Sequence, residues 1–205
     1  MLPDETSQPL LDARRALRRE LRTKRRAIPP GVRAAAAERV AALVRHHFPV
    51  HPGQRIGLYC PLRDELDIAP LARIVARHGG RIFVPRLTDR RRCRMRFMEA
   101  TGPMRPNHLG ILEPSGARWV SARSLDLVFV PLVGFDASGM RLGMGAGYYD
   151  RAFAYLRLRA AWRRPKLIGV AFALQRVPRL TRARHDVPLD AVITEEGVIR
   201  CRTGC

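Results

Sequence analysis

Hydrophobic and polar positions in the first quarter of the chain follow helical spacing. Over residues 12–28, apolar residues recur on one side with arginines on the other, and Pro29 and Pro30 end the pattern. A second, alanine-rich helix is predicted from Gly31 to about Phe48. Before these helices, prolines and mixed polar residues predict a disordered extension, which we assign to residues 1–11.

From residue 55 onward, short apolar runs alternate with segments of helical spacing. Helices are predicted at residues 66–78 and 148–162, and strands at 55–60, 81–85, 94–99, 125–131, 166–173 and, around a turn at Glu196 and Gly197, 191–199. Every residue after Asp126 in the strand at 125–131 is apolar, which is typical of a strand covered on both faces.

This alternation predicts an α/β fold. The expected architecture is a three-layer, mostly parallel open sheet flanked by helices, Rossmann-like but without a GxGxxG fingerprint. Ligands of such sheets bind beyond the carboxyl ends of the strands. The loops to search are therefore those after Cys60, Pro85, Pro131 and Ala173.

Size and composition suit one cytoplasmic domain, which we assign to residues 12–205. The longest apolar stretch, residues 127–135, is far shorter than the roughly 20 residues that cross a bilayer. Acids precede any apolar run at the N-terminus, so we expect neither a secretory signal nor a membrane partner. The four cysteines lack zinc-ligand spacing, and we expect free thiols.

The formal net charge of +20 would suit nucleic-acid binding, because basic surfaces bind phosphate backbones. However, only Lys24 and Lys166 among the 38 basic residues are lysines, and the arginines are spread along the chain. Both side chains neutralise phosphate, so codon drift explains this bias better than selection for phosphate contacts. We therefore expect attraction of small polyanions, with a nucleic-acid-binding protein as the alternative.

Three alternating glycines follow the strand at residues 125–131 and its polar turn. Gly143, Gly145 and Gly147 precede a predicted helix. Glycine allows positive φ and close approach of a ligand, and successive backbone amides in such a turn bind anions. The spacing matches neither the P-loop nor the dinucleotide fingerprint. A loop that only turns the chain is the alternative interpretation.

Charged and aromatic residues around these glycines favour a ligand-binding loop. Arg141 and Arg151 flank the segment and could neutralise phosphate, and Asp150 could hold Mg²⁺. Tyr148 and Tyr149 add two aromatic side chains to the same segment, although they could also pack as core. Such a concentration after a buried strand predicts a nucleotide-phosphate site in an enzyme.

The run VPLVGFDASGMRLGMGAGYYDRAF resembles the signature of the 5-formyltetrahydrofolate cyclo-ligase (5,10-methenyltetrahydrofolate synthetase) family. RRALRRELRTKRRAI, YCPLRDELDIAPL, LGILEP and RHDVPLDAVITE resemble other family segments in the same order, over about residues 14–195. The resemblance implies ATP- and Mg²⁺-dependent conversion of 5-formyltetrahydrofolate to 5,10-methenyltetrahydrofolate, with release of ADP and phosphate. We also expect a monomer.

The resemblance implies the following site residues. ATP would be contacted by Arg14, Arg15, Ala16, Leu17, Arg18, Arg141, Leu142, Gly143, Met144, Gly145, Ala146, Gly147, Tyr148 and Tyr149. The reduced folate would be contacted by Cys60, Glu65, Met144, Gly145, Ala146, Gly147 and Tyr148, and Mg²⁺ by Asp150 and Asp186. Arg141 and Tyr148 are the candidate catalytic residues.

The chain departs from the family pattern at two of these positions, and other interpretations stay open. Many relatives have Lys where Arg14 stands, and often Gly or Lys where Ala146 stands. The arginines at 14 and 18 could be a solvated helix face, Glu65 could serve a helix dipole, and Asp186 could organise a turn. A relative that binds ATP but acts on another substrate is the second functional alternative.

Overall fold

A computed structural model describes residues 7–89, 91–106, 112–114, 119–158 and 164–201. The chain opens with helices α1 (Ser7–Arg26) and α2 (Pro30–His47), separated by an extended Pro29. Pro30 occupies the first turn of α2, where its missing N–H costs no hydrogen bond. No helix in the described ranges is long and apolar enough to cross a membrane.

Helix α1 begins earlier than the sequence predicted. Residues 7–11 are helical, so the expected disorder is wrong for them, whereas residues 1–6 lie outside the described chain. Gln8 Nε2 donates to Asp12 Oδ2 at 3.2 Å, and Arg15 Nη1 donates to Asp12 Oδ1 at 3.1 Å. Such pairs stabilise a helix, and Pro9 is tolerated because it stands in the first turn.

An eight-stranded sheet, counted over the described residues, forms the centre of the molecule. Its strands are β1 (Arg55–Gly57), β2 (Arg81–Asp89), β3 (Arg94–Glu99), β6 (Trp119–Val120), β7 (Leu127–Pro131), β10 (Lys166–Val170), β11 (Ala191–Thr194) and β12 (Gly197–Arg200). Their order across the sheet is β12-β11-β10-β7-β1-β2-β3-β6. Neighbours among β1, β2, β7, β10 and β11 pair in parallel, whereas the β2–β3, β3–β6 and β11–β12 pairs are antiparallel. The predicted mostly parallel α/β architecture is confirmed.

The core lies on both faces of this sheet. Successive side chains of a strand point to opposite faces, and Phe129 packs in one cluster with the α2 residue Val44. Val128 and Val130 pack on the other face with Phe153, and all of these side chains are fully buried. Burial on both faces explains the unbroken apolar run of β7.

Several predicted boundaries changed. The strand predicted at 55–60 ends at Gly57, although the Leu58 N–H still donates to the Phe83 carbonyl at 2.8 Å. The helix predicted at 66–78 is α3 (Ala69–Arg77). The helix predicted at 148–162 is a short α4 (Tyr148–Ala152) followed by a 3-10 turn (Ala154–Leu158), and residues 159–163 lie outside the described chain.

Pro85 lies inside β2 rather than before a loop, because β2 continues as an antiparallel hairpin with β3. Two small ladders were not predicted: β4 (Met104–Pro106) with β5 (Leu112–Pro114), and β8 (Gly134–Phe135) with β9 (Arg141–Leu142). The β5 strand is the described part of the LGILEP segment. Cys60, Cys93 and Cys201, the described cysteines, form no disulfide.

Candidate active site

The β8–β9 hairpin presents the glycine-rich loop at the carboxyl end of β7. Its turn is closed by Asp136, whose Oδ1 accepts from the backbone N–H groups of Ser138 (2.9 Å) and Met140 (3.1 Å). Gly139 in this turn has φ +87°, and a Cβ there would lie 2.7 Å from the Leu189 carbonyl oxygen. Only glycine therefore fits this turn.

The loop of residues 143–147 connects β9 to α4. Gly145 and Gly147 adopt positive φ (+111° and +70°), and Met144, Gly145 and Ala146 are exposed. Within the described chain, the backbone amides of this loop donate no hydrogen bond. Unused amides in a glycine-rich turn are donors suited to an anion. Anion binding by this loop stays a prediction.

Helix α1 brings Arg18 to this loop. Arg18 Nε donates to the Gly143 carbonyl at 2.8 Å, and its guanidinium stands beside Gly145, where a Cβ would lie 3.8 Å from Cζ. Burial lowers the pKa of Arg18, and the charges of Arg14 and Arg15 lower it further. Arg18 is thus partly buried against the loop.

The remaining α1 candidates divide by helix face. Arg14 is only 15% exposed and reaches Asp186, so the solvated-face interpretation fails for Arg14 and Arg18. The solvated-face interpretation fits Arg15, which is 70% exposed and pairs with Asp12. Ala16 is also exposed. Leu17 instead packs against the apolar cluster around Leu21 and Leu142.

Arg141 is buried and joins α4 to the segment at residue 187. Its Nη2 donates to Asp150 Oδ1 at 2.6 Å, and its Nη1 donates to the Val187 carbonyl. Asp150 Oδ1 also accepts from the Val187 N–H at 3.1 Å. The guanidinium therefore links Asp150 of α4 to the backbone at Val187.

A hydrogen bond from the Val187 N–H links Asp150 to the residue that follows Asp186. Asp186 precedes Val187 in the chain, and its Oδ2 accepts from the Ala183 N–H (2.8 Å) and from Arg14 Nη2 (3.1 Å). The remaining oxygens, Asp150 Oδ2 and Asp186 Oδ1, accept no hydrogen bond from the described residues. Mg²⁺ is commonly held by one or two carboxylates with phosphate oxygens and waters, so this pair fits Mg²⁺. The described residues contain no cluster of three or more metal-ligating side chains.

Glu65 and half-buried Cys60 lie in the segment that follows β1. Glu65 is 8% exposed, and its Oε2 accepts from the Leu62 N–H at 3.0 Å. Burial raises the pKa of Glu65, while the Leu62 N–H and the Arg25 charge oppose the increase. The helix-dipole interpretation of Glu65 is wrong, because α3 begins only at Ala69.

Tyr149 follows the glycine-rich loop, and its hydroxyl is electrostatically coupled to residues of the segment after β1. Burial raises the pKa of its phenol, the neighbouring Glu65 and Cys60 raise it further, and Arg141 lowers it. These groups therefore lie within electrostatic range of the hydroxyl. The Tyr149 hydroxyl is buried and has no hydrogen-bond partner in the described chain. Tyr148, partly buried, opens α4 beside it.

Two arginines of this region were not predicted from the sequence. Arg25 is buried and donates to Asp64 Oδ2 at 2.7 Å, and Arg33 Nη2 donates to the Glu65 carbonyl at 2.7 Å. A usable signal existed for the first, since Arg25 follows Arg18 by two helical turns and so lies on nearly the same face of α1.

The fold and this site define a class of protein: an α/β protein with a glycine-rich loop, contacted by an arginine, at the carboxyl edge of its sheet. The chain belongs to the 5-formyltetrahydrofolate cyclo-ligase family, whose model matches residues 11–195. A 5-formyltetrahydrofolate cyclo-ligase from Escherichia coli K12 is 32% identical over 184 residues, which cover 87% of this chain and 98% of that protein.

Solved structures of relatives share the fold. A 5,10-methenyltetrahydrofolate synthetase from Aquifex aeolicus superposes with a TM-score of 0.78 at 28% identity, covering 94% of both chains. A second synthetase, from Mycoplasma pneumoniae, has a TM-score of 0.70 at 23% identity, covering 89% of this chain and 98% of that one. The architecture is thus the family's own.

Proposed function

We propose that this protein is an ATP- and Mg²⁺-dependent 5-formyltetrahydrofolate cyclo-ligase, which forms 5,10-methenyltetrahydrofolate and releases ADP and phosphate. The observation that carries the proposal is the contact of Arg18 with Gly143, which joins a cationic helix to the glycine-rich loop. The names of the Escherichia coli and Aquifex aeolicus relatives support the substrate.

The chemistry explains why such a site needs ATP. The oxygen of an N-formyl group is a poor leaving group, and transfer of the γ-phosphoryl group to it releases ADP. The activated carbon is then attacked by N10 of the folate, which loses its proton, and the C–O bond breaks as phosphate departs. No side-chain nucleophile is required, so catalysis consists of positioning and charge stabilisation.

The loop amides of residues 143–147 and the Arg18 guanidinium bind and orient the phosphates in this proposal. Their fixed donors stabilise the charge of the transferred group without reorganising during the step. Asp150 and Asp186 would hold Mg²⁺, which when bound neutralises phosphate charge. Arg141 holds Asp150 in place for that purpose.

The substrate side of the site lies around Glu65, Cys60 and the hydroxyl of Tyr149. An ionised carboxylate at residue 65 suits the amino and ring N–H donors of a pterin. The unsatisfied Tyr149 hydroxyl supports a polar ligand atom in its vicinity. We also propose that the enzyme works as a cytoplasmic monomer, which sedimentation of the purified protein and fractionation of the source cells would test.

An absorbance assay for the methenyl product tests the function directly. Purified protein is incubated with 5-formyltetrahydrofolate, with and without ATP and Mg²⁺, and ADP is measured in parallel. We expect product only when both are present, with one ADP formed per product. Folded protein that binds ATP but forms no product would instead indicate a relative with another substrate.

A further inference from the structure

Arg25 is the most deeply buried charged side chain of α1, with only 2% of the side chain exposed. Its Nη2 and Nε donate to Asp64 Oδ2 at 2.7 and 3.3 Å, and its Nη1 donates to the Leu132 carbonyl at 3.2 Å. One guanidinium therefore joins α1 to the segment after β1 and to the segment after β7. Buried ion pairs add little net stability, so such a pair chiefly fixes geometry.

A second arginine secures the same segment. Arg33 Nη2 donates to the carbonyls of Arg63 (3.0 Å) and Glu65 (2.7 Å), while its Nη1 donates to the Arg25 carbonyl at 3.2 Å. Arg63, Asp64 and Glu65 are thus each held by an arginine of α1 or α2. The carboxylate of Glu65 is directed by these anchors and by the Leu62 N–H.

We propose that Arg25 is a positioning residue that holds Glu65 in place for the substrate, from the helix whose middle turns carry Arg14 and Arg18. The identity of the substrate in this inference rests on the proposed function, whereas the contacts of Arg25 do not depend on that function. Helix α1 then serves both halves of the site: Arg18, near its middle, contacts the phosphate loop (residues 143–147), and Arg25, in its last turn, contacts the substrate loop (residues 60–65).

Electrostatics give this role a signature that simple structural damage lacks. Burial raises the pKa of Glu65, Arg25 lowers it, and the charge of Asp64 raises it. The charged and titratable groups that face Glu65 are Arg22 and Arg25 from α1, Asp64 in its own segment, Tyr59 after β1 and Tyr149 from α4. Removing Arg25 should therefore raise the pKa of Glu65, and removing the Asp64 charge should lower it.

The test compares Arg25→Met, Arg25→Lys and Asp64→Asn with a matched control, Arg81→Met. Arg81 also makes a two-pronged ion pair, with Glu99 at 2.8 and 2.9 Å, but at the amino end of β2, away from the site. We expect Arg25→Met to raise KM for 5-formyltetrahydrofolate about tenfold. Arg25→Lys should have an intermediate effect, and Arg81→Met none. The Kd for ATP alone, measured by calorimetry, should stay within about twofold in every variant.

The pH profile of kcat/KM for the folate separates positioning from damage. An ionised Glu65 is lost as pH falls through its pKa, so the acid limb should move to higher pH in Arg25→Met and to lower pH in Asp64→Asn. Shifts in the same direction, an unchanged folate KM in folded variants, or a parallel loss of ATP affinity would each overturn the proposal. If Arg25→Met does not fold, the folate KM and the ATP Kd are compared in Arg25→Lys and Asp64→Asn. The shift of the acid limb is then measured in Asp64→Asn alone.

Failure of the proposed function would be recognised separately, because the wild-type protein would then form no methenyl product. Hydrogen exchange at the Leu62 and Glu65 amides would in that case decide the positioning role. Both amides bond within the segment, through Glu65 Oε2 and the Leu62 carbonyl. Faster exchange in Arg25→Lys supports the role, and unchanged exchange refutes it.

Discussion

Tyr149 lies at the start of α4 with its ring stacked on Phe153, the centroids 6.3 Å apart. Its buried hydroxyl lacks a partner in the described chain, and an unsatisfied buried hydroxyl costs about 1–3 kcal/mol. A folding argument alone would favour Phe at this position, where the ring contacts are the same. The hydroxyl is better explained by a ligand that uses it.

Tyr149→Phe should therefore separate binding from stability. We expect KM for 5-formyltetrahydrofolate to rise about tenfold, the loss of one good hydrogen bond. The midpoint of thermal unfolding should stay the same or rise, because the variant removes an unsatisfied polar atom. Steady-state kinetics and a thermal melt measure both. A lower melting temperature with an unchanged KM would mean that the hydroxyl serves the fold.

Gly145→Val tests the phosphate loop with a matched glycine elsewhere. At φ +111°, a valine is strained, and its side chain would project toward the Arg18 guanidinium. We expect the Kd for ATP to rise at least about tenfold with the fold retained. Gly102→Val is the control, since Gly102 has φ +82° with open space around it. Equal effects of the two variants on ATP affinity would show that backbone strain alone is responsible.

At the scale of elements, the hydrophobic pattern of a short segment predicted the strands whose formation depends on that pattern. The apolar runs of β7 and β10 were recognised because strands covered on both faces require them. The β8–β9 hairpin was not, since each strand has two residues and the pairing depends on hydrogen bonds to Asp136. The burial of Arg25 was missed for a different reason, because its partner Asp64 is 39 residues away.

The docking of α1 on β8 depends on one glycine. A Cβ at Gly134 would lie 2.6 Å from Leu21 Cδ1, and Leu21 is itself buried. Gly134→Ala should lower the free energy of unfolding by about 1–3 kcal/mol through overpacking. Leu21→Ala alone should lower it by about 2–5 kcal/mol.

The double variant identifies the cause. If Gly134 is required because Leu21 occupies the space, the shortened side chain relieves the clash, and the combined loss should be smaller than the sum of the single losses. Urea unfolding of the four proteins measures this difference. Strictly additive losses would mean that another contact, such as the Gln175 carbonyl 3.5 Å from the same position, sets the limit.

At the scale of the whole molecule, the site is assembled from distant parts of the chain. The Arg18–Gly143 contact spans 125 residues, and the Arg14–Asp186 pair spans 172. Composition and spacing carry no information on such pairs. The family resemblance assigned these residues to one site. The parallel sheet explains why they lie close together, because the carboxyl ends of its strands share one edge.

The net charge of +20 leads to opposite salt effects on folding and binding. Like charges repel in the folded state, so added salt should raise the melting temperature. The same field attracts ATP, and screening shortens its range to about 10 Å at 0.1 M salt. We expect the Kd for ATP to rise severalfold as NaCl increases, while the fold becomes more stable.

Sucrose at equal osmolarity is the control, since it stabilises the fold without screening charge. An ATP affinity that does not change with salt would mean that local contacts of the loop and Arg18 supply all of the attraction, and that the arginines elsewhere contribute nothing to capture.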